Sequence, residues 1–271
     1  MKSLEIEKID QVFTEIENWI QNDPEFLSSY WVPQRNRYKS DIQIINTFYE
    51  GGEILEVGSV PCYFTAMLKL LGYPVVGVDL FPQRAQLIID RYGLTVQKCN
   101  IEAEPLPFPD GTFKYVLFTE VFEHLRVDPL LILSEINRVL TDGGLLMLST
   151  PNLYAIQKIV RYMTGRGFGE PLVEFEKLRT IGHMGHVREY TNSEIRKFLV
   201  LNNFRVVKTL YRHYYYPKTK RGMLTYVVFH VSPPRFRSYQ VVLARKVGTS
   251  LGLVPLPDQS TNAPSYTATE L

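Results

Sequence analysis

Between Gly52 and Pro151 the chain alternates short apolar runs with segments of helical periodicity, and this alternation limits the fold more than any other feature. GEILEVGS, PVVGVDLF, TVQKCNI, FKYVLFTEV and LLMLSTP read as buried strands, with CYFTAMLKLLG, QRAQLIIDRYG and PLLILSEINRVL as the helices between them. Apolar strands joined by helices bury both faces in a mostly parallel sheet wrapped on either side. The expected fold class is therefore α/β, doubly wound. Two later runs, FRVVKTLYRHYYY and SYQVVLARK, finish the sheet.

The rest of the chain is organised around that core. A length of 271 residues with 45% apolar content suits one large domain with a small addition. Ile6, Ile9, Val12, Phe13, Ile16, Trp19 and Ile20 recur at helical spacing, which predicts an amphipathic helix in an N-terminal helical cap over residues 1–48. Pro-punctuated sequence then leads to a second, short helix, DIQIINTFY. The main domain is expected over 49–250, with a lid insert at about 153–186 and a helix, NSEIRKFLVLNN, opened by Asn192. Residues 251–271 have the composition of a disordered tail.

Composition excludes several classes of protein. No apolar run is long enough to cross a membrane, and the start, MKSLEIEKIDQ, is too polar for a secretory signal, so a cytoplasmic protein is expected. Cys62 and Cys99 are too few for a disulfide framework or a cysteine zinc site. The net charge of +2 hides an asymmetry: from Ile195 to Pro257 there are 12 Lys and Arg and no acid. Basic charge interleaved with aromatics fits an anionic partner, such as a phosphorylated or nucleotide-linked sugar, a lipid-carrier head group or RNA. A solvated basic face accounts for it equally well.

The first strand runs into a tight turn in ILEVGSVPCYF, where Gly58 is followed by Val60 and Cys62 instead of further glycines. Asp79 ends the second strand, where an acid can accept hydrogen bonds from ribose hydroxyls or simply cap a turn.

Five ordered segments, ILEVGS, VVGVDL, NIEAEPLPFPDGTFKYVLFTEVFEHL, INRVLTDGGLLMLSTPN and GHVREYTNSEIRKFLVLNNF, resemble the class I S-adenosylmethionine-dependent methyltransferases of Rossmann-like fold, types 11 and 23. The resemblance spans roughly residues 50–210. It implies S-adenosylmethionine as cofactor, with Glu56, Gly58 and Ser59 at its methionine end and Asp79 and Leu80 at the ribose. Asn100, Ile101 and Glu102 would face the adenine, and Glu120 would border the pocket. Asn100 stands where the family often has Asp, so its carbonyl oxygen would take the adenine amino group. The cofactor has no pyrophosphate, so its turn does not require the later glycines that bring backbone against phosphate.

In TEVFEHL, a helical continuation would place Glu120, Glu123 and His124 on one face at the end of the fourth strand. With His186 of GHVREYT, the run is similar to that of small-RNA 2′-O-methyltransferases and ubiquinone-pathway O-methyltransferases, in which it holds magnesium. The resemblance thus implies Mg²⁺ on Glu120, Glu123, His124 and His186. In metal-free methyltransferases the same run makes only structural hydrogen bonds. His124, His186 and Glu123 are the candidate catalytic groups, because an attacking alcohol must lose its proton.

The expected activity is O-methylation of a small-molecule or glycan-type hydroxyl compound, with anionic and lipid-linked acceptors among the options. The alternatives are RNA ribose 2′-O-methylation and a non-catalytic scaffold. Gly143-Gly144 reads as a helix stop, and Thr150-Pro151-Asn152 as a strand end that could also border the substrate; Arg188 and Tyr190 could equally anchor the insert or touch substrate, and Arg35, Arg37 and Tyr38 could meet the cofactor carboxylate or an anionic substrate but are expected on the exposed surface.

Overall fold

The computed structural model describes residues 3–21, 27–167, 171–181, 185–213 and 231–250. The expected tail, and most of the basic aromatic stretch after His213, lie outside the described residues. Helices α1 (Ser3–Gln21) and α2 (Leu27–Phe48) lead into β1 (Ile54–Val57), α3 (Tyr63–Leu71), β2 (Val75–Asp79), α4 (Gln86–Tyr92) and β3 (Val96–Lys98). The chain continues through β4 (Phe113–Thr119), α5 (Pro129–Val139), β5 (Leu140–Pro151), α6 (Ile156–Met163) and α7 (Pro171–Ile181). It ends with α8 (Asn192–Leu201), β6 (Phe204–Arg212) and β7 (Tyr239–Lys246).

The seven strands lie in the order β3-β2-β1-β4-β5-β7-β6. β1 to β5 pair in parallel, whereas β7 runs antiparallel to both β5 and β6. The order reverses between β1 and β4, where the crossovers leave on opposite faces and open a crevice at the strands' carboxyl ends.

Strand side chains alternate between two apolar layers. Ile54, Tyr115, Leu117 and Met147 join one cluster, packed under α1 to α4, while Leu55, Val57, Val116 and Phe118 join the other, under α5 and α8. α1 buries Ile9, Val12, Ile16 and Ile20 in the first cluster, so the N-terminal helix belongs to the wall of the core. Each such aliphatic contributes roughly 1.5–3 kcal/mol by leaving water.

Several local expectations change. α2 is one long helix that runs through Pro33, because Trp31, Tyr38, Ile42 and Ile45 bury along it; that burial offsets the hydrogen bond proline cannot donate. Gly143-Gly144 lies inside β5 and does not stop a helix, since α5 passes straight into the strand at Leu140. The N-cap of α8 is Thr191, not Asn192: its hydroxyl accepts from the Glu194 amide while the Glu194 side chain reaches back to the Thr191 amide.

Candidate active site

Two cavities meet at the crevice. The first, of about 300 Å³, is lined by Gly58, Asp79, Leu80, Asn100, Ile101 and Glu102 among others. The second, of about 280 Å³, is lined among others by Arg37, Glu56, Ser59, Glu123, His186 and Tyr239. Gly58, Val60, Pro61, Glu120 and His124 border both, so a single elongated ligand can extend from one into the other.

The glycine-poor turn keeps the shape of a glycine turn. Gly58 has φ 77°, and a Cβ there would come within 2.3 Å of Val121 Cγ2. Cys62, the N-cap of α3, also adopts a left-handed conformation, φ 65° and ψ 13°. A non-glycine residue pays roughly 1–2 kcal/mol for that conformation, offset here by complete burial of the thiol in the first apolar cluster. Pro61 precedes the cap and is not in the helix's first turn. The Val60 amide donates to Asp79 Oδ2 at 2.9 Å, and the Phe81 amide donates to Oδ1 at 2.9 Å. Each Asp79 oxygen keeps a lone pair for a second donor such as a ribose hydroxyl. Burial raises the Asp79 carboxyl above its usual range despite these bonds.

At the far end of the first cavity, Asn100 Oδ1 accepts from the Glu102 amide at 3.2 Å, so this carbonyl oxygen is already partly engaged. Glu102 accepts from the Arg126 guanidinium at 2.8 and 3.1 Å and from the Arg126 and Val127 amides. Its carboxylate therefore fixes the 126–127 loop at the cavity rim.

The second cavity is a nest of buried charge. Contrary to the sequence expectation, Arg37 and Tyr38 are buried, and of that group only Arg35 is on the surface, paired with Glu17. Arg37 Nη1 donates to Thr119 Oγ1 at 3.2 Å and Asp41 Oδ2 at 3.4 Å, and Nε donates to Gln34 Oε1 at 2.7 Å. Glu56 accepts from the Thr65 hydroxyl, yet burial pushes its carboxyl up to about 8, and burial likewise pushes Asp41 up to about 6.

TEVFEHL does not continue as an α-helix. Glu120 takes φ 58°, and Phe122–His124 form a single 3₁₀ turn, so the expected helical face is absent. Glu120 turns toward β5 and accepts from Ser149 Oγ at 2.8 Å. Glu123, His124 and His186 come together without it: their ligand atoms lie within 4.8 Å of one another. Both imidazole Nε2 atoms stand 3.9 Å from Glu123 Oε1.

The surrounding bonds set the tautomers. His124 Nδ1 sits 2.8 Å from the Gly185 carbonyl and His186 Nδ1 sits 3.0 Å from Glu189 Oε1, both pure acceptors. Nδ1 therefore carries a proton in each ring, and Nε2 is the nitrogen turned toward Glu123. Glu189 is buried and also pairs with Lys158 of α6. Glu123 Oε2 accepts from Thr150 Oγ1 at 2.9 Å, whereas Oε1 is buried with no hydrogen-bond partner. Burial first, and the neighbouring Glu120 second, hold the Glu123 carboxyl well above the usual range.

The sequence reading missed Glu189, Asp41, Gln34 and Tyr239 as parts of this site, and had Thr150 only as part of a strand end that could border the substrate. Only Glu189 carried a local signal, three residues beyond His186; the others arrive through the fold. Arg188 and Tyr190 flank the site without lining either cavity: Arg188 pairs with Glu194, and the Tyr190 ring packs on Phe122.

The methyltransferase-domain family model matches residues 31–209. Among curated relatives, the ubiquinone biosynthesis O-methyltransferase of Cereibacter sphaeroides is 35% identical over 107 residues, 38% of this chain and 43% of the relative. A probable S-adenosylmethionine-dependent methyltransferase of Mycolicibacterium smegmatis is 29% identical over 160 residues, 59% of this chain and 54% of the relative. These matches span about half, or less, of the relatives' length. Among solved structures, an S-adenosylmethionine-dependent methyltransferase from Archaeoglobus fulgidus superposes with a TM-score of 0.56 at 14% identity, covering 80% of this chain and 99% of that one. A methyltransferase from Thermotoga maritima, described as a possible histamine N-methyltransferase, gives 0.53 at 18% identity, covering 88% and 99%. At such identities the likeness is one of fold.

Proposed function

The chain belongs to the class I S-adenosylmethionine-dependent methyltransferases, and from that premise we propose that it methylates a hydroxyl oxygen of a small-molecule or glycan-type acceptor. In this reading the adenosine part of the cofactor lies in the first cavity, against Asp79 and Asn100, and its methionine end enters the second, between Glu56 and Arg37. Arg37 supplies a cation for the methionine carboxylate, and Glu56 supplies an anion for its ammonium. The sulfonium then comes near Gly58 and Glu120, where the cavities join.

The observation that carries the oxygen assignment is the convergence of Glu123, His124 and His186 beside that junction. Sulfonium is already a good leaving group, so the enzyme's remaining tasks are in-line positioning and removal of the acceptor's proton. The Nε2 lone pairs and the carboxyl of Glu123 face the region where an acceptor hydroxyl would arrive. The O-methyltransferase named among the relatives supports the same reading over part of the chain.

A divalent cation fits these donors: a buried, unpartnered carboxylate oxygen faces two imidazole nitrogens whose opposite sides are fixed by Gly185 and Glu189. Glu123, His124 and His186 would hold it. Two nitrogens and one oxygen suit a first-row transition ion such as Mn²⁺ or Zn²⁺ better than Mg²⁺, which prefers oxygen. When bound, such an ion would lower the pKa of a coordinated hydroxyl.

The test is S-adenosylhomocysteine formation with a panel of phenolic and sugar hydroxyl compounds, comparing the wild type with His186→Ala. The reading expects a methyl ether product and a kcat loss in the variant of roughly 10²-fold or more, with cofactor affinity retained. Methylation found only on nitrogen would refute it.

A further inference from the structure

α6 leaves the C-terminal half of its apolar stripe in solvent. Ile156, Ile159, Val160 and Met163 fall at i, i+3, i+4 and i+7 and form one apolar stripe. In a core-facing helix that stripe would be buried. Here Val160 is 54% and Met163 81% exposed, and no residue of α6 is fully buried. Ile156 and Ile159 are half-buried, as are Gln157 and Lys158, which bond to the protein. Gln157 donates to Ser238 Oγ at 2.8 Å, and Lys158 donates to the Asn152 carbonyl and pairs with Glu189. These bonds fix the helix in this rotation. Nearby in sequence, Tyr154 is 56% exposed, and α7, in the same insert, exposes Leu172, Val173 and Phe175.

Basic charge predominates around the stripe. Residues 152–169 contain Arg161, Arg166 and the inward-paired Lys158 and no Asp or Glu, and α7 sets an exposed Glu176 against Lys177 and Arg179. The loop that α6 packs against, at Ser238, also carries Arg235, which is exposed. An apolar stripe rimmed by arginines matches the outer layer of an anionic bilayer: apolar side chains enter the boundary between head groups and acyl chains, and the guanidinium groups remain among the lipid phosphates. No helix among the described residues is long and apolar enough to cross a membrane. We propose that α6 is a peripheral docking surface for an anionic lipid bilayer, and that the protein works against that surface. The docking surface stands apart from the O-methylation reading, because vesicle binding is measured without cofactor or acceptor.

The experiment is co-sedimentation of the full chain with vesicles of phosphatidylcholine alone and of phosphatidylcholine with phosphatidylglycerol, at low and high salt. The proposal expects binding to the phosphatidylglycerol vesicles that weakens with salt. The double variant Val160→Glu with Met163→Glu should bind at least about tenfold more weakly, with thermal unfolding and S-adenosylhomocysteine affinity unchanged because both positions are solvent-exposed. Absence of wild-type binding, or equal binding by the variant, overturns it. So does a wild-type dimer that Met163→Glu dissociates, since the stripe would then belong to a second copy of the chain.

Discussion

Cofactor binding should release a proton, and Glu56 is its source. This side chain is 4% exposed, and burial pushes its carboxyl from 4.5 up to about 8 in the ligand-free protein, only partly countered by the Thr65 hydroxyl and Arg37. In the proposed placement, the ammonium at the homocysteine end of S-adenosylhomocysteine brings a positive charge into the same cavity and stabilises the carboxylate. At pH 7.5 a group titrating near 8 is about three-quarters protonated, so binding should expel about 0.75 proton per site. Affinity should rise roughly tenfold between pH 7 and pH 9, the window in which the free protein loses that proton. Calorimetric titration at pH 7.5 in two buffers of different ionisation enthalpy reads the proton count directly, and Glu56→Gln should abolish it. Stability has the corresponding sign: the contribution of the bound proton is fully present below about pH 4.5 and is lost as the pH rises through about 8. Buffer-independent enthalpies, or a pH-dependent affinity that survives in Glu56→Gln, would refute the reasoning.

Three further outcomes follow from the geometry. Asp79→Ala removes the carboxylate that orders the Val60 amide and faces the first cavity; cofactor affinity should fall by roughly 1.5–3 kcal/mol in the same titration, and unchanged affinity would remove the ribose assignment. If the Glu123–His124–His186 group holds a metal, chelation should abolish turnover and Mn²⁺ should restore it better than Mg²⁺; turnover that survives excess chelator rules the metal out. Thr191→Ala deletes the N-cap hydroxyl of α8 and should cost about 1 kcal/mol, seen as a Tm lower by about 2–4 °C with cofactor affinity intact.

The alternation of apolar runs made the sheet legible, because a strand buried on both faces needs an unbroken apolar run wherever it sits in the fold. Leu55 and Val57 point to one layer and Ile54 to the other, yet all three read simply as strand. The site was legible where its residues sit at the ends of those strands, as Gly58 and Asp79 do. It was not legible where helix geometry was assumed: the left-handed Glu120 breaks the spacing that would have aligned it with Glu123 and His124.

The sequence by itself determined the doubly wound sheet, the family and the strand-end groups that line the crevice, because each is carried by local periodicity or by a short contiguous motif. The tertiary structure decided what surrounds them. Arg37 meets Thr119 across 82 residues, and Thr150 meets Glu123 across 27; neither contact has a signal in the intervening chain. It also decided which way α6 faces, since an amphipathic pattern specifies a stripe and not its direction. That direction was fixed by Gln157 and Lys158 finding Ser238 and Glu189. Burial, finally, shifts the carboxyls of Glu56 and Glu123, and burial belongs to the packed molecule, not to any segment of it.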